Sequence, residues 1–191
     1  MQILIVDHGS QYTHLIKRNC RDLGYDAEIV NSKTGKLSGI NINEVKKIIL
    51  SGGPSSVYAT DNGLGEEIAK KVVTGEIKVP ILGICFGHQL LTHVFGGKVE
   101  KGESAEYGLS RIIVDDADLI LSGMPSEFNA WSSHFDEVKE LPKKFIALAH
   151  SDSCKYEAMR HETKNIFGLQ FHPEVWHTEH GEQILKNFLE L

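Results

Sequence analysis

The stretch Lys78-Val-Pro-Ile-Leu-Gly-Ile-Cys85-Phe-Gly-His-Gln-Leu-Leu91 indicates the fold of this chain. An apolar run of strand length leads into a turn in which Gly83 and Gly87 flank Cys85, and helix-forming residues follow at once. This order of strand, glycine-flanked residue and helix presents a side chain at the top of an α/β sheet, as in the nucleophile elbow of serine hydrolases. The start of a helix also favours a thiolate. The alternative interpretation is a buried core cysteine, and this segment alone leaves both open.

A second segment supplies a base and a carboxylate. His172-Pro-Glu174 lies at the end of the apolar run Ile166–Phe171, which predicts a strand. Pro173 favours an extended conformation for His172, and side chains two residues apart in an extended chain project to the same side. We therefore expect His172 and Glu174 to face one another and, with Cys85, to form a catalytic triad. Taken singly, a hydrogen-bonded core histidine and a solvated carboxylate would explain these two residues.

A third segment, Lys47-Ile-Ile-Leu-Ser-Gly-Gly-Pro54, predicts a strand that runs into a glycine loop. Such a loop lies at the strand end where open α/β sheets bind ligands. The backbone N–H groups of Gly53 and Phe86 are the predicted pair of oxyanion donors. The loop lacks the acidic residue of pyrophosphate-releasing ATP enzymes, and the chain has no Walker-type motif, so we do not expect phosphate binding there.

These three segments, which follow one another in the chain as glycine loop, cysteine turn and His-Pro-Glu segment, resemble the signatures of class I (triad-type) glutamine amidotransferases. The resemblance extends from Met1 to nearly Leu191 and implies a flavodoxin-like fold. Three further motifs resemble the glutaminase part of GMP synthase: Ile5-Val-Asp-His-Gly-Ser-Gln11-Tyr, Ala105-Glu-Tyr-Gly108 and Asn129-Ala-Trp-Ser-Ser-His-Phe-Asp136. Glu106-Tyr107-Gly108 is interpreted as either a partner-facing element or an exposed turn.

The resemblance implies hydrolysis of L-glutamine to glutamate and ammonia through a γ-glutamyl thioester on Cys85. It implies that Gln89 holds the amino-acid end of the substrate. It also implies that Ser133, Phe135 and Asp136 shape the glutamine pocket, mostly through backbone groups. No cofactor is expected in this chain; ATP and Mg²⁺ are expected in a separate synthetase subunit that binds it and converts XMP to GMP. Since nothing follows Leu191 in the sequence, that synthetase is expected on another polypeptide, and the glutaminase is expected to be slow without it.

Length and composition fit one domain, residues 1–191, with 41% hydrophobic residues to form a core. The predicted fold is an α/β, doubly wound, mostly parallel open sheet with flanking helices and additional antiparallel strands in the second half. The net charge of −6 argues against nucleic-acid binding. No signal peptide or membrane-spanning stretch is predicted, and three cysteines in no paired spacing favour the cytoplasm. Cys20 and Cys154 are expected to be structural, and His88, His177 and His180 lack the spacing of a zinc site, so no metal is predicted.

Two other functions remain open. One is a related γ-glutamyl or cysteine hydrolase, or the glutaminase subunit of a different amidotransferase. The other is an inactive subunit that binds glutamine or a partner without turnover. An intact set of Cys85, His172 and Glu174 argues against the second. The Gln89 position and the Glu106-Tyr107-Gly108 and Ser133-His134 segments argue against the hydrolase.

Overall fold

The fold is built on one nine-stranded sheet. The computed structural model describes residues 2–58 and 61–191, with the side chains of residues 103 and 104 left out. The strands are β1 (Ile3–Asp7), β2 (Ala27–Asn31), β3 (Lys47–Leu50), β4 (Ile81–Ile84), β5 (Lys98–Val114), β6 (Glu127–Glu140), β7 (Phe145–His150), β8 (Ala158–His161) and β9 (Ile166–Leu169). Their order across the sheet is β2-β1-β3-β4-β9-β8-β7-β5-β6.

The sheet has a parallel and an antiparallel half. From β2 to β9 every neighbouring pair is parallel, and from β9 to β6 every described pair is antiparallel. The parallel half has the order 2-1-3-4 followed by β9, which is that of a flavodoxin-like sheet. The predicted fold class is confirmed, and the antiparallel strands β8, β7, β5 and β6 continue the same sheet.

Within the described residues, four α-helices cover the two faces: α1 (Thr13–Asp22), α2 (Gly63–Thr74), α3 (Phe86–Val94) and α4 (Gly181–Leu189). The sheet is apolar on both sides because β1 alternates its side chains. Ile3 and Ile5 join the core beneath α1 and α4, whereas Leu4 and Val6 join the core beneath α2 and α3. Full burial of one such side chain contributes about 1.5–3 kcal/mol to folding.

The last strand of the parallel half is shorter than the sequence predicts. The apolar run predicts a strand from Ile166 to Phe171, but β9 ends at Leu169. The chain then turns, and the N–H of Val175 bonds to the carbonyl of His172 at 3.4 Å. Pro173 has no N–H with which to continue a ladder. His172 therefore lies in the loop beyond β9, and the prediction that the strand continues to Phe171 was wrong.

The antiparallel half differs in the lengths of its strands. The sequence predicts two short strands, Gly108–Val114 and Glu127–Trp131, where the structure has the 17-residue β5 and the 14-residue β6. These form a two-stranded ribbon with register shifts at Lys98/Val99 and between Lys101 and Glu106. One face of an antiparallel ribbon can be exposed to solvent and carry polar residues. An apolar run therefore does not mark the full length of such strands in the sequence. Across the residues that the structure covers, no helix has both the length and the apolarity to cross a bilayer.

Candidate active site

The backbone at Cys85 is held in an unusual conformation between β4 and α3. Its φ and ψ angles are 52° and −103°, in the positive-φ region that non-glycine residues rarely adopt. The surrounding structure stabilises this conformation, since the N–H of Cys85 donates to the carbonyl of Leu169 at 2.7 Å. Such a backbone costs of order 1–3 kcal/mol and is found where function requires it.

The two flanking glycines are required by close approach rather than by their own backbone angles. A Cβ at Gly83 would lie 2.4 Å from the backbone oxygen of Gly87. A Cβ at Gly87 would lie 2.3 Å from the backbone oxygen of Leu50 on β3. Neither glycine has a positive φ. The residue with the positive φ is therefore Cys85 itself, and the glycines let α3 start against the sheet.

His172 and Glu174 form a buried pair. The distance from His172 Nδ1 to Glu174 Oε1 is 2.8 Å, and both side chains are almost fully buried. Because a carboxylate can only accept, Nδ1 carries the proton and Nε2 is left for other chemistry. The backbone of His172 is fixed on both sides: its N–H donates to Trp131 O at 2.9 Å, and its carbonyl accepts from Thr178 Oγ1 at 2.6 Å.

The charge environment of His172 differs from that of other buried histidines. Burial lowers the pKa of His172, but the charges of Glu174 and Cys85 and hydrogen bonds to both outweigh it, so the pKa is raised well above 6.5. Burial lowers the pKa of His8 to about 4 and that of His88 to about 3. His172 is thus the imidazole among these three whose charged form the surroundings favour.

Cys85 and His172 meet in one cavity of about 560 Å³ at the carboxyl ends of the parallel strands. The position of a Cβ at Gly52 would be 3.0 Å from His172 Cε1 and 3.6 Å from Cys85 Cβ, so Gly52 lies against both. The Sγ of Cys85 is 3.8 Å from the carbonyl oxygen of Ser133. The structure brings together the three residues predicted as a triad, with Glu174 behind His172.

Of the two residues predicted as oxyanion donors, one lines the cavity and the other follows Cys85 in the chain. Gly53 lines the cavity. Phe86 is the first residue of α3, so its N–H has no partner within the helix. Its ring is buried in the core beneath α2 and α3, with its centroid 4.9 Å from that of the His8 ring. The helix dipole of α3 adds partial positive charge at this point.

All four residues predicted to bind substrate line the cavity. Gln89 Nε2 donates to the carbonyl of Asp136 at 2.6 Å and to Gln170 Oε1 at 3.1 Å. The carboxylate of Asp136 accepts from Ser56 Oγ at 2.5 Å. Phe135 is 41% exposed at the rim. The contacts of Ser133 and Asp136 to Cys85 and Gln89 are made by backbone carbonyls, and the binding roles of these residues stay predictions.

Comparison with known proteins gives the family. The family described as glutamine amidotransferase class-I matches residues 4–191. The chain belongs to this family. It is 49% identical over 189 residues to the A subunit of the glutamine-hydrolyzing GMP synthase of Methanocaldococcus jannaschii, covering 97% of this chain and 95% of that one. Its identity to the protein of the same name from Pyrococcus abyssi is also 49%, over 99% of this chain and 97% of the relative.

Solved structures agree with this assignment. A Thermoplasma acidophilum protein, provisionally named as the A subunit of a GMP synthase, matches with a TM-score of 0.88 at 34% identity, over 100% of this chain and 92% of its own. A glutamine amidotransferase from Thermotoga maritima matches with a TM-score of 0.81 at 21% identity, over 92% of this chain and 76% of its own, which shows the fold. The predicted family is confirmed.

Sequence reasoning missed part of the cavity wall of this amidotransferase. The loop after β1 contributes Ser10 and Tyr12, and the rim contributes Ser56, Lys101 and Tyr107. The ring of Tyr12 lies edge-on to His172, with centroids 5.1 Å apart. The rule that ligands bind at carboxyl ends of parallel strands could have found Ser10 and Tyr12, because they follow β1. Nothing local could have found Lys101 and Tyr107, which long-range pairing of β5 with β6 brings there.

The other cysteines and histidines have different surroundings. Burial raises the pKa of the Cys20 thiol to about 12, and burial and the charge of Glu157 raise that of Cys154 still further. His177 stacks on Trp131 and Trp176. Among the described donors, Glu106, Cys154 and Glu157 have ligand atoms within 4.8 Å of one another. Glu106 is already paired with His134 Nε2 at 2.9 Å.

Proposed function

We propose that this amidotransferase is the glutaminase subunit of a two-subunit GMP synthase. The observation that carries the proposal is Cys85 on its strained elbow, sharing a cavity with the buried His172–Glu174 pair. The choice of branch is supported by relatives named as the A subunit of GMP synthase, which are 49% identical over nearly the whole of both chains.

In the first half of the reaction, the thiolate of Cys85 attacks the side-chain amide carbon of L-glutamine. A C–S bond forms, and the amide oxygen becomes an oxyanion that the N–H groups of Gly53 and Phe86 stabilise. The imidazolium of His172 then donates its Nε2 proton to the amide nitrogen. The C–N bond breaks, ammonia leaves, and a γ-glutamyl thioester remains on Cys85.

In the second half, neutral His172 takes a proton from water, which attacks the thioester carbon. A second oxyanion forms at the same donors, the C–S bond breaks, and glutamate leaves with regeneration of the thiolate and the imidazolium. Glu174 acts throughout by keeping the proton on Nδ1 and stabilising the charged ring. The raised pKa of His172 favours the thiolate–imidazolium pair with which the cycle starts.

The cavity wall provides groups for the rest of the substrate. Gln89, Ser133, Phe135 and Asp136 surround the cavity with both carbonyl and amide groups. Because the amide nitrogen of Gln89 is already bonded to Asp136 and Gln170, its oxygen is the atom left to contact the substrate amino group.

The proposal includes a partner and a compartment. The ammonia would be used by a separate ATP- and Mg²⁺-dependent synthetase subunit that converts XMP to GMP, with no cofactor held by this chain. The three cysteines are free and buried, which fits a reducing cytoplasm. Since unused ammonia would be lost, we expect low glutaminase activity until the synthetase and its nucleotides bind.

The test is glutamate release from L-glutamine by the chain alone and with a GMP synthetase subunit, ATP, Mg²⁺ and XMP. Strong stimulation with matched GMP formation is expected. Cys85→Ala should abolish glutamate release yet still bind the synthetase, with Cys20→Ala as the control that keeps activity. Glutaminase activity indifferent to the synthetase would discard the GMP assignment, and a folded but inactive chain in both conditions would discard the enzyme assignment.

A further inference from the structure

Ser51 lies between the parallel strands, the elbow and the glycine loop. It follows β3 directly and is fully buried. Its N–H donates to the carbonyl of Val6 on β1 at 3.0 Å, and its carbonyl accepts from the N–H of Gly87 on α3 at 3.2 Å. The backbone of this serine therefore joins the strand before the cavity to the helix behind Cys85.

The hydroxyl of Ser51 makes two further bonds whose directions are fixed by chemistry. It accepts from the N–H of His8 at 3.0 Å and donates to the carbonyl of Gly52 at 2.8 Å. An N–H can only donate and a carbonyl can only accept, so the single hydroxyl proton is committed to Gly52. The hydroxyl bond to Gly52 does not contribute to the pairing of β3 with β1, because the backbone N–H of Ser51 makes that hydrogen bond.

The carbonyl of Gly52 belongs to the same planar trans peptide as the N–H of Gly53. In such a peptide, C=O and N–H point in opposite directions. Holding the Gly52 oxygen on the Ser51 side therefore holds the Gly53 N–H on the other side. The loop is tightly packed at both glycines. Gly52 lies against Cys85 and His172, and a Cβ at Gly53 would be 2.7 Å from the carbonyl oxygen of His8.

Two consecutive glycines do not by themselves fix the orientation of the peptide between them. A flip of that peptide would replace a donor N–H by a carbonyl oxygen beside a developing negative charge. We propose that Ser51 is a positioning residue: its hydroxyl locks the Gly52–Gly53 peptide in the orientation in which the Gly53 N–H serves the oxyanion. This inference rests on the proposed thiolate chemistry of Cys85.

The test compares Ser51→Ala with wild type in the complex with the synthetase subunit. Loss of a whole oxyanion donor costs about 10²–10³ in rate, so loss of its positioning should lower kcat for glutamine roughly 10- to 100-fold with KM little changed. Alkylation of Cys85 by iodoacetamide forms no oxyanion, and its rate should stay at the wild-type value. Ser51→Thr, which keeps the hydroxyl, should restore kcat.

Ser32 provides a matched control. It is also buried, and its hydroxyl also accepts from a backbone N–H, that of Gly65, and donates to a backbone carbonyl, that of Asn62. It contacts α2 rather than the cavity. Ser32→Ala should lower the thermal midpoint as Ser51→Ala does but leave kcat unchanged. If Ser51→Ala does not fold, Ser51→Thr decides, because a folded Thr variant without activity contradicts the proposal.

Hydrolysis of p-nitrophenyl acetate by Cys85 separates the two proposals, since it passes through an oxyanion but needs no glutamine pocket. Wild type that cleaves the ester and not glutamine would overturn the proposed function, while a loss of ester hydrolysis in Ser51→Ala would still support the role of Ser51. The inference is overturned if Ser51→Ala has a wild-type or higher kcat for glutamine. It is also overturned if the rate of alkylation of Cys85 falls by the same factor as kcat.

Discussion

At the scale of single residues, Glu174 and Cys85 together favour the charged form of His172. The pKa of His172 is lowered by burial but raised overall by the charges of Glu174 and Cys85 and by their hydrogen bonds. A histidine whose folded pKa lies above its unfolded value stabilises the fold below the unfolded pKa, and this stabilisation is lost as pH rises through the folded one. The native site therefore favours the imidazolium through the carboxylate two residues away and through Cys85.

Replacement of Glu174 by Gln should lower the pKa of His172 by removing a charge while keeping the size of the side chain. We expect kcat/KM for glutamine to fall by up to about 10⁴-fold, because a neutral amide no longer holds the productive tautomer and charge of His172, and the alkaline limb of the pH–rate profile to move to lower pH. NMR titration of His172 and a pH–rate profile measure both effects. Glu179→Gln is the control, because the carboxylate of Glu179 accepts a hydrogen bond from the N–H of Asn129. An unchanged pKa of His172 in Glu174→Gln would contradict the role assigned to Glu174.

The buried carboxyl of Glu157 also has a raised pKa, which in a carboxyl favours the neutral form. Burial first, then the charges of Glu106 and Glu137, raise its pKa to about 8 from an ordinary 4.5. Between those two pH values the folded chain binds a proton that the unfolded chain has released. The free energy of unfolding must therefore decrease as pH rises through this window.

Glu157→Gln should remove this dependence, because an amide stays neutral. The stability difference in favour of the variant should grow from pH 5 to pH 8, with a slope that approaches about 1.4 kcal/mol per pH unit for one proton. Urea unfolding at several pH values measures it. Glu76→Gln is the control, since the exposed Glu76 has a lowered pKa beside Lys71 and is ionised throughout. Parallel pH profiles for wild type and Glu157→Gln would refute this account.

At the scale of elements, the elbow depends on contact between α3 and β3. The first turn of α3 approaches the sheet so closely that Gly87 has no room for a Cβ beside the Leu50 oxygen. A backbone oxygen cannot move aside as the end of a flexible side chain can. The position of Cys85 is thus set by two elements that are far apart in sequence.

Gly87→Ala should destabilise the protein by about 1–3 kcal/mol, the usual cost of overpacking, and should slow both turnover and alkylation of Cys85. Gly39→Ala is the matched control, because a Cβ at Gly39 meets nothing within 4 Å, and it should change stability little. Chemical denaturation and iodoacetamide kinetics measure the effects. Wild-type stability in Gly87→Ala would show that the helix can shift without cost.

At the scale of the whole molecule, one sheet carries both cores. Alternate residues of β1 serve opposite faces, with Ile5 in the core beneath α1 and α4 and Val6 in the core beneath α2 and α3. The same sheet continues through β9 into the antiparallel half. Neither core can lose its strands without exposing the other.

We therefore expect residues 1–191 to unfold as one domain in a single transition. Far-UV circular dichroism reports mainly the helices, of which α1, α2 and α3 lie in the first half, and the fluorescence of Trp131 and Trp176 reports the second half. Their urea transitions should coincide. Two separate midpoints would show that the antiparallel half, with its β5–β6 ribbon, is an independent unit.

The sequence by itself determined the elements that depend on neighbours in the chain. The apolar run before Cys85, the glycines around it and the pairing of His172 with Glu174 depend on spacings of two to four residues, which a single segment encodes. The alternation of strands and helices along the chain in the first half follows from the same local patterns. The signatures also sufficed to identify the family.

Only the tertiary structure decided which distant groups surround Cys85. The carbonyl of Ser133 reaches its sulfur from 48 residues away, and Lys101 and Tyr107 arrive through the pairing of β5 with β6. The end of β9 at Leu169 and the peptide orientation that Ser51 maintains likewise depend on partners in other strands. Local patterns encode backbone periods and turns, whereas sheet order and register arise from packing between segments that the sequence separates.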